Sequence, residues 1–324
     1  MQVFSKDKIY DFMGKSNFFI SLSIVLILSS YFFLYTKGLN YGIDFAGGTI
    51  VQVKYDKKAP IKQMRENITK DKAFENASIT QFGSPQEVII RFSTSRSSTV
   101  KNDAGDKIKT LLKGTGNFQI RRVDIVGPKV GGELRKKGMM ALVMSIIVIL
   151  IYVAFRFEWR FAVASVLALV HDVSIAMGAI ALFQIDVNLD VLAAILTLMG
   201  DSLNDTIIVF DRIREGIGDT KETNLFTVIN DAVSKTLSRT LLTSLTTFFV
   251  ILTLYVLGGE IINSFSFTLL VGIVVGTYSS VFVASPMLKW LGFNLQSYKA
   301  KEALKLKRKL EKEKTRAMYE KGML

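Results

Sequence analysis

Apolar residues along this chain are bunched into six long runs, 18–36, 139–155, 161–183, 189–210, 241–257 and 265–288. A helix rising 1.5 Å per residue needs about 20 apolar residues to cross a hydrocarbon core of roughly 30 Å. Each run is near that length, and the second and fifth are expected to extend at their ends. The first run is longer than the apolar region of a secretory signal, and no small-residue cleavage site follows it, so an uncleaved anchor is expected. Six such runs predict a polytopic α-helical membrane protein.

Between the first and second runs the period changes. Gly48–Tyr55 alternates apolar and polar residues as a strand does, and 60–70 reads as a helix with Pro60 in its first turn. Segments 77–81 and 86–92 read as strands flanking a Gly-Ser-Pro turn, 97–113 as a second helix stopped by Gly114, and 118–125 as a last strand. The order β-α-β-β-α-β is that of a ferredoxin-like unit. The predicted architecture is six transmembrane helices with an α+β ferredoxin-like external domain between helices 1 and 2. Its divisions are an N-terminal segment (1–17), the first span (18–36), the external domain (37–138), helices 2–6 (139–288) with a cytoplasmic loop at 211–240, and a basic tail (289–324).

Lys and Arg in short loops set the expected orientation. Lys6, Lys8 and Lys15 precede the first span, and Arg156 and Arg160 lie between the second and third. Arg212, Arg214, Lys221, Lys235 and Arg239 lie between the fourth and fifth, while 184–188 and 258–264 carry none. Both termini are therefore expected in the cytoplasm. Arg135, Lys136 and Lys137 then fall on the outer side, in a long loop of the kind largely exempt from the rule. The amphipathic stretch 221–237 reads either as an interfacial helix on the cytoplasmic side or as a simple connector.

Composition narrows the function classes. The 324 residues include one His and no Cys, which removes disulfides, thiolate metal sites and cysteine nucleophiles. Gly14-Lys15-Ser16 lacks the upstream glycine of a phosphate loop, since position 9 is Ile. No hydrolytic chemistry stands out, so neither an enzyme nor a cofactor is expected, and any work must draw on another subunit or an ion gradient. The net charge of +13 divides into +10 for 37–138, +7 for the tail from 289, and −4 for the rest. Two patches on opposite sides of a membrane require no nucleic-acid face. The tail is expected to attract anionic membrane lipids.

Ionisable residues inside a span cost roughly 2.5–3.5 kcal/mol each on insertion scales, so they are functional candidates by default. The fourth span holds Asp190, Thr197, Asp201, Asn204, Asp205 and Asp211; Thr197, Asp201 and Asp205 follow four-residue steps and are expected on one face. The third span carries His171-Asp172, and the fifth opens with Ser238-Arg239-Thr240. Burial and a neighbouring carboxylate favour a protonated acid, and an arginine favours the ionised form. Asp201 would supply the first influence on Asp205 and Arg239 the second, so that moving Arg239 toward or away from Asp205 binds and releases a proton. The competing reading is a static buried pair that orients helices, and for His171-Asp172 a hydrogen bond between helices. Asp190 and Asp211 are expected at the span ends. Gly272, Gly276, Ser280 and Ala284 in the sixth span place small residues on one face, a pattern for close helix packing.

These residues in this order resemble the SecD/SecF family of the bacterial protein-export machinery, within the resistance–nodulation–division superfamily. Tyr41-Gly-Ile-Asp-Phe-Ala-Gly-Gly48, with Gly42, Asp44, Gly47 and Gly48, is similar to the signature after the family's first span. Val126-Gly-Pro-Lys-Val-Gly-Gly-Glu-Leu-Arg135 resembles the segment leading into the second. His171-Asp172 matches the third-span pair, Gly200-Asp-Ser-Leu-Asn-Asp-Thr206 and its continuation to Glu215 the fourth-span motif, and Ser238–Thr247 the fifth. The short external domain and the Asn-Asp-Thr wording favour the smaller-domain branch over SecD. One departure stands at Asp201, where the family usually has Tyr.

The resemblance implies a subunit that uses the proton-motive force to assist preprotein translocation across the bacterial cytoplasmic (inner) membrane. Its implied partners are SecD, the SecYEG channel and the preprotein, and its implied proton roles attach to Asp205 and Arg239 but not to Asp201. Two alternatives are a proton-coupled half-transporter for lipids or small hydrophobic molecules, and a non-transport assembly scaffold for the translocon.

Overall fold

The protein was described by a computed structural model over residues 9–71, 74, 77–82, 84–92, 104–219, 222, 224–259 and 262–320. Helix α1 (Ser16–Thr36) leads through a single helical turn, α2 (Ile43–Ala46), into a small sheet domain. That domain runs β1 (Gly48–Tyr55), α3 (Ile61–Ile68), β2 (Ser78–Phe82), β3 (Ser84–Phe92), α4 (Ala104–Leu111) and β4 (Phe118–Val126). The remaining membrane helices are α5 (Pro128–Arg156), α6 (Trp159–Phe183), α7 (Leu189–Asp219), α8 (Leu225–Leu257) and α9 (Asn263–Ser279). A π-helical turn, Ser280–Ala284, carries α9 into α10 (Ser285–Trp290), and a tail helix, α11 (Leu295–Glu320), ends the described chain. Six helices are long and apolar enough to cross a membrane, the last formed by α9 and α10 together.

The sheet has the order β2-β3-β1-β4, every neighbour antiparallel. Two β-α-β halves interleaved in this way are the ferredoxin-like arrangement. Alternation in β1 buries Val51, Val53 and Tyr55, and Val88, Ile90 and Phe92 of β3 join them on the same face. Met64 and Ile68 of α3 and Ile108 of α4 cover that layer. The opposite face is polar, carrying Gln52, Lys54 and Arg122, with Lys54 paired to Glu87 across the strands. The expected turn between β2 and β3 is tighter than its Gly-Ser-Pro wording suggests, because Ser84 and Pro85 already belong to β3. Of the helix expected over 97–113, residues 97–103 lie outside the described residues, α4 accounts for 104–111, and 112–113 form a turn.

Two boundaries differ from the hydrophobic pattern. Helix α5 begins at Pro128, eleven residues before the apolar run, with Pro in its first turn. At 29 residues it is about 43 Å long, so it passes beyond the hydrocarbon core and meets the sheet domain directly. The loop expected at 211–240 is also mostly helix: α7 continues to Asp219 and α8 starts at Leu225, where the Asn224 side chain accepts a hydrogen bond from the Phe226 N–H at 3.0 Å. The amphipathic segment 221–237 is therefore not a separate interfacial helix. Val228, Ile229, Ala232 and Val233 bury its apolar stripe in the protein core, against Phe161, Phe210 and Ile213, rather than in lipid.

The N-terminal segment is pinned to this extension of α8. Asn230 Oδ1 accepts from the N–H groups of Phe12 (3.0 Å) and Met13 (2.9 Å), and its amide donates to Asp11 at 2.9 Å. The Tyr10 N–H donates to Ser234 Oγ at 2.9 Å. The Gly14 N–H and the Asn230 amide hold the Asp11 carboxyl below the usual carboxylate range. Asn230→Ala is expected to free this strap: at about 1–3 kcal/mol per orphaned polar group, limited proteolysis should cut near residues 9–14 several-fold faster while the bundle stays intact. An unchanged cleavage rate would show that the strap is held by Ser234 and packing alone.

Candidate functional site

The signature turn joins the two parts of the molecule. The Gly42 N–H donates to the Val187 carbonyl at 2.9 Å, and the Val187 N–H to the Asn40 carbonyl at 2.8 Å, tying the turn to the start of α7. The Asp44 carboxylate accepts from the Leu189 N–H at 3.1 Å, a carboxylate placed at the positive end of α7. Gly47 has φ 77° and ψ 153°, a backbone region open essentially to glycine alone. A Cβ on Gly48 would lie 2.6 Å from the Phe92 carbonyl oxygen, and one on Gly131 of α5 would lie 2.9 Å from the Gly47 nitrogen. Those glycines are needed because β1, α5 and the turn approach backbone to backbone. The turn at the head of β1 is thereby in direct contact with both α5 and α7.

Within the membrane the most buried acid is Asp172, on α6, with no accessible surface. Ser202 of α7 donates to its Oδ2 at 2.5 Å, Ser279 of α9 donates to the same oxygen at 2.8 Å, and His171 Nδ1 lies 2.8 Å from Oδ1. One carboxylate thus links three helices, as buried polar groups require. The His171 ring stacks on Tyr278, whose hydroxyl donates to the Phe19 carbonyl of α1. His171 Nε2 is buried and makes no hydrogen bond among the described residues.

Asp205 is a second, separate acid. It is 6 % exposed, and Ser244 of α8 donates to its Oδ2 at 3.3 Å. Asp201 and Thr197, one and two turns earlier on the same side of α7 as the spacing predicts, are exposed. Each four-residue step turns a helix about 40° further around its axis, so two steps carry Asp205 from the open face into the α7–α8 contact. Arg239 stands away from Asp205: it is exposed, and no ion pair joins them among the described residues. Ser244 is level with Asp205, and Arg239 lies five residues earlier, about 7.5 Å along α8 and about 140° around it. Asn204 is exposed beside Asp205. At the span ends Asp190 sits in the first turn of α7, and Asp211 pairs with Arg156 and Arg214.

The small residues of α9 lie against this region. A Cβ on Gly272 would meet Leu198 at 2.6 Å and one on Gly276 would meet Ser202 at 3.1 Å, while Ser280 and Ala284 are buried. The pattern read for packing passes over Ser279, the neighbour that reaches Asp172. Ser244 is one of the fifth-span hydroxyls that the sequence offers with Thr243, Thr246 and Thr247, whereas Ser202, Ser279 and Tyr278 were not singled out by sequence. Ser202 lies within the quoted fourth-span motif, which was the signal available for it.

A family model described as the C-terminal part of the protein export membrane proteins SecD and SecF matches residues 107–294, and a second, the SecD/SecF GG motif, matches 32–59. The chain belongs to the SecD/SecF family. The GG motif covers the signature turn, and the C-terminal match covers every intramembrane acid described above. The protein translocase subunit SecF of Helicobacter pylori (strain ATCC 700392 / 26695) is 47% identical over 325 residues, covering 100% of both chains. The SecF of Escherichia coli O157:H7 is 38% identical, covering 94% of this chain and 93% of its own. Among solved structures, the crystal structure of SecDF from Thermus thermophilus matches with a TM-score of 0.77 at 34% identity. That likeness covers 90% of this chain but 40% of the SecDF chain. The SecF relatives make this a multi-pass transport subunit and not an enzyme.

Proposed function

We propose that this chain is the smaller half of a proton-driven accessory of the protein-export channel, working in the cytoplasmic membrane with both termini in the cytoplasm. SecD is the proposed partner, with SecYEG and the preprotein as the further components. The observation that carries the reading is an uncovered polar face in the middle of the membrane. Asp201 and Asn204 are exposed on α7, roughly 18 Å from its start and so near the bilayer centre, and neither side chain has a partner among the described residues. The threonines nearby differ, because Thr197 and Thr243 satisfy their hydroxyls on carbonyls of their own helices. A charged Asp facing lipid costs roughly 2.5–3.5 kcal/mol, so a second bundle covering this face is favoured. The SecDF chain, two and a half times as long as the part matched here, has room for such a bundle.

Asp205 lies directly behind that face, where a partner's approach and Arg239's position would govern its proton. Ser202, Ser279 and His171 hold Asp172 as a fixed anchor for α6, α7 and α9. Movement of α7 and α5 then reaches the sheet through Asp44 and Gly131. One charge crossing 100 mV yields about 2.3 kcal/mol, so a few protons are enough to move a small domain.

The absence of cysteine gives the interface test a clean background. Asn204→Cys and Thr243→Cys, paired with cysteines along the partner's fourth and fifth spans, are expected to form cross-links in native membranes. Cross-links from the exposed face of α1 instead would place the partner elsewhere and remove the reading's support.

A further inference from the structure

Below the signature turn, α5 and α7 leave an apolar groove of about 750 Å³, within the range of roughly 300–1,000 Å³ common for small-molecule sites. Tyr41 and Phe45 of the turn form its roof, and Leu192 and Ile195 of α7 its floor. Four of the chain's eleven methionines, Met139, Met140, Met144 and Met177, line the walls. Arg135 and Lys136 stand exposed at the end nearest the sheet domain, and no carboxylate lines the groove among the described residues. The local acid, Glu133, is taken by Lys137 at 3.0 Å, while Arg135 lies 5.3 Å from the Tyr41 ring. Met144 is nine residues further along α5, about 14 Å deeper.

We propose that this groove binds an anionic phospholipid of the leaflet facing the sheet domain, its phosphate between Arg135 and Lys136 and one acyl chain laid along Met140 and Met144. The inference rests only on the six helices spanning a membrane, and not on the proton reading. Its order of chemistry, two cations and a tyrosine at the edge and then an unbroken apolar slot, is that of a phospholipid from headgroup to tail. Two unneutralised cations select an anionic headgroup over a zwitterionic one, whose ammonium they repel. Methionine walls adapt to a flexible chain without fixed knobs. The bound lipid would fill the space under the turn and stiffen the junction that connects α5 and α7 to the sheet.

The full chain, purified in mild detergent and exchanged with mixed phosphatidylglycerol and phosphatidylcholine vesicles, is examined by native mass spectrometry. Retained phosphatidylglycerol is expected to exceed phosphatidylcholine. R135A/K136A should lower retention by about fivefold per cation removed, and V143W, which fills the slot and leaves both charges, should lower it as far. Because Val143 is half exposed, V143W tests the slot without disturbing the packed core. Glycerol phosphate, the headgroup without chains, should fail to compete. Equal retention of both lipids, or unchanged retention in the charge and slot variants, would overturn the proposal. So would a photo-cross-linker at Met144 that captures a protein instead of lipid in native membranes, since the groove would then be a protein interface.

Discussion

Asp172→Ala is expected to abolish stable folding of the bundle, whereas Asp172→Asn leaves it intact. In the alanine variant Ser202 loses its acceptor and His171 Nδ1 its partner, in a site without access to solvent. At about 1–3 kcal/mol per buried group left unpaired, the two cost roughly 2–6 kcal/mol, a large part of the stability of a typical domain. Ser279 suffers less, because it already shares its hydroxyl with the Gly276 carbonyl at 3.1 Å. Asparagine keeps the size and an acceptor oxygen, and the serine hydroxyls can rotate to suit it. Monodisperse protein recovered from membranes should fall more than tenfold for the alanine variant and less than twofold for the asparagine one. An equal loss in both would mean that the charge itself, and not the hydrogen-bonded link between α6, α7 and α9, holds the helices.

The second large effect falls on function. Asp205→Asn should leave assembly unchanged, because its side-chain hydrogen bond among the described residues is a 3.3 Å bond from Ser244 that an amide oxygen can also accept. It removes the ability to take up and release a proton, so preprotein export that depends on the proton-motive force should drop at least tenfold. Export that depends on other energy sources should continue. Full export with normal assembly would favour the scaffold reading, in which the acid is only a packing element. Asp201→Asn separates the roles of the two acids: its carboxylate is exposed and unpaired among the described residues, so this change should alter partner association more than proton coupling.

The helices were legible because hydrocarbon thickness imposes a length on each apolar run, and the sheet because alternation imposes a face on each strand. The ends were not. Nothing in hydropathy stops α5 at residue 139, since Pro128 and the residues after it form backbone hydrogen bonds whether lipid or the sheet domain surrounds them. The amphipathicity of 221–237 was visible, but periodicity does not say whether the apolar stripe meets lipid or protein, and Phe161, Phe210 and Ile213 proved to be its neighbours.

The site divided in the same way. Sequence singled out Asp172 and Asp205 by the cost of their burial. It grouped Asp201 with Asp205 by spacing, and the two are neighbours on α7, the 40° step leaving Asp201 at the open edge and Asp205 in the α7–α8 contact. Ser244 was visible as one of several fifth-span hydroxyls, but the serines that hold Asp172 were not, because a hydroxyl in a span is as often bonded to its own helix, as Thr197 and Ser165 are.

The central claim is that a proton moves through Asp205 as preprotein moves through the channel. It is tested most directly in vesicles that hold this chain with its six-span partner and the channel, with a pH-sensitive dye inside. The account predicts a pH change in the lumen that accompanies translocation in the wild type. With Asp205→Asn assembled to the same level, that change should be at least tenfold smaller. An undiminished pH change in that variant would contradict it.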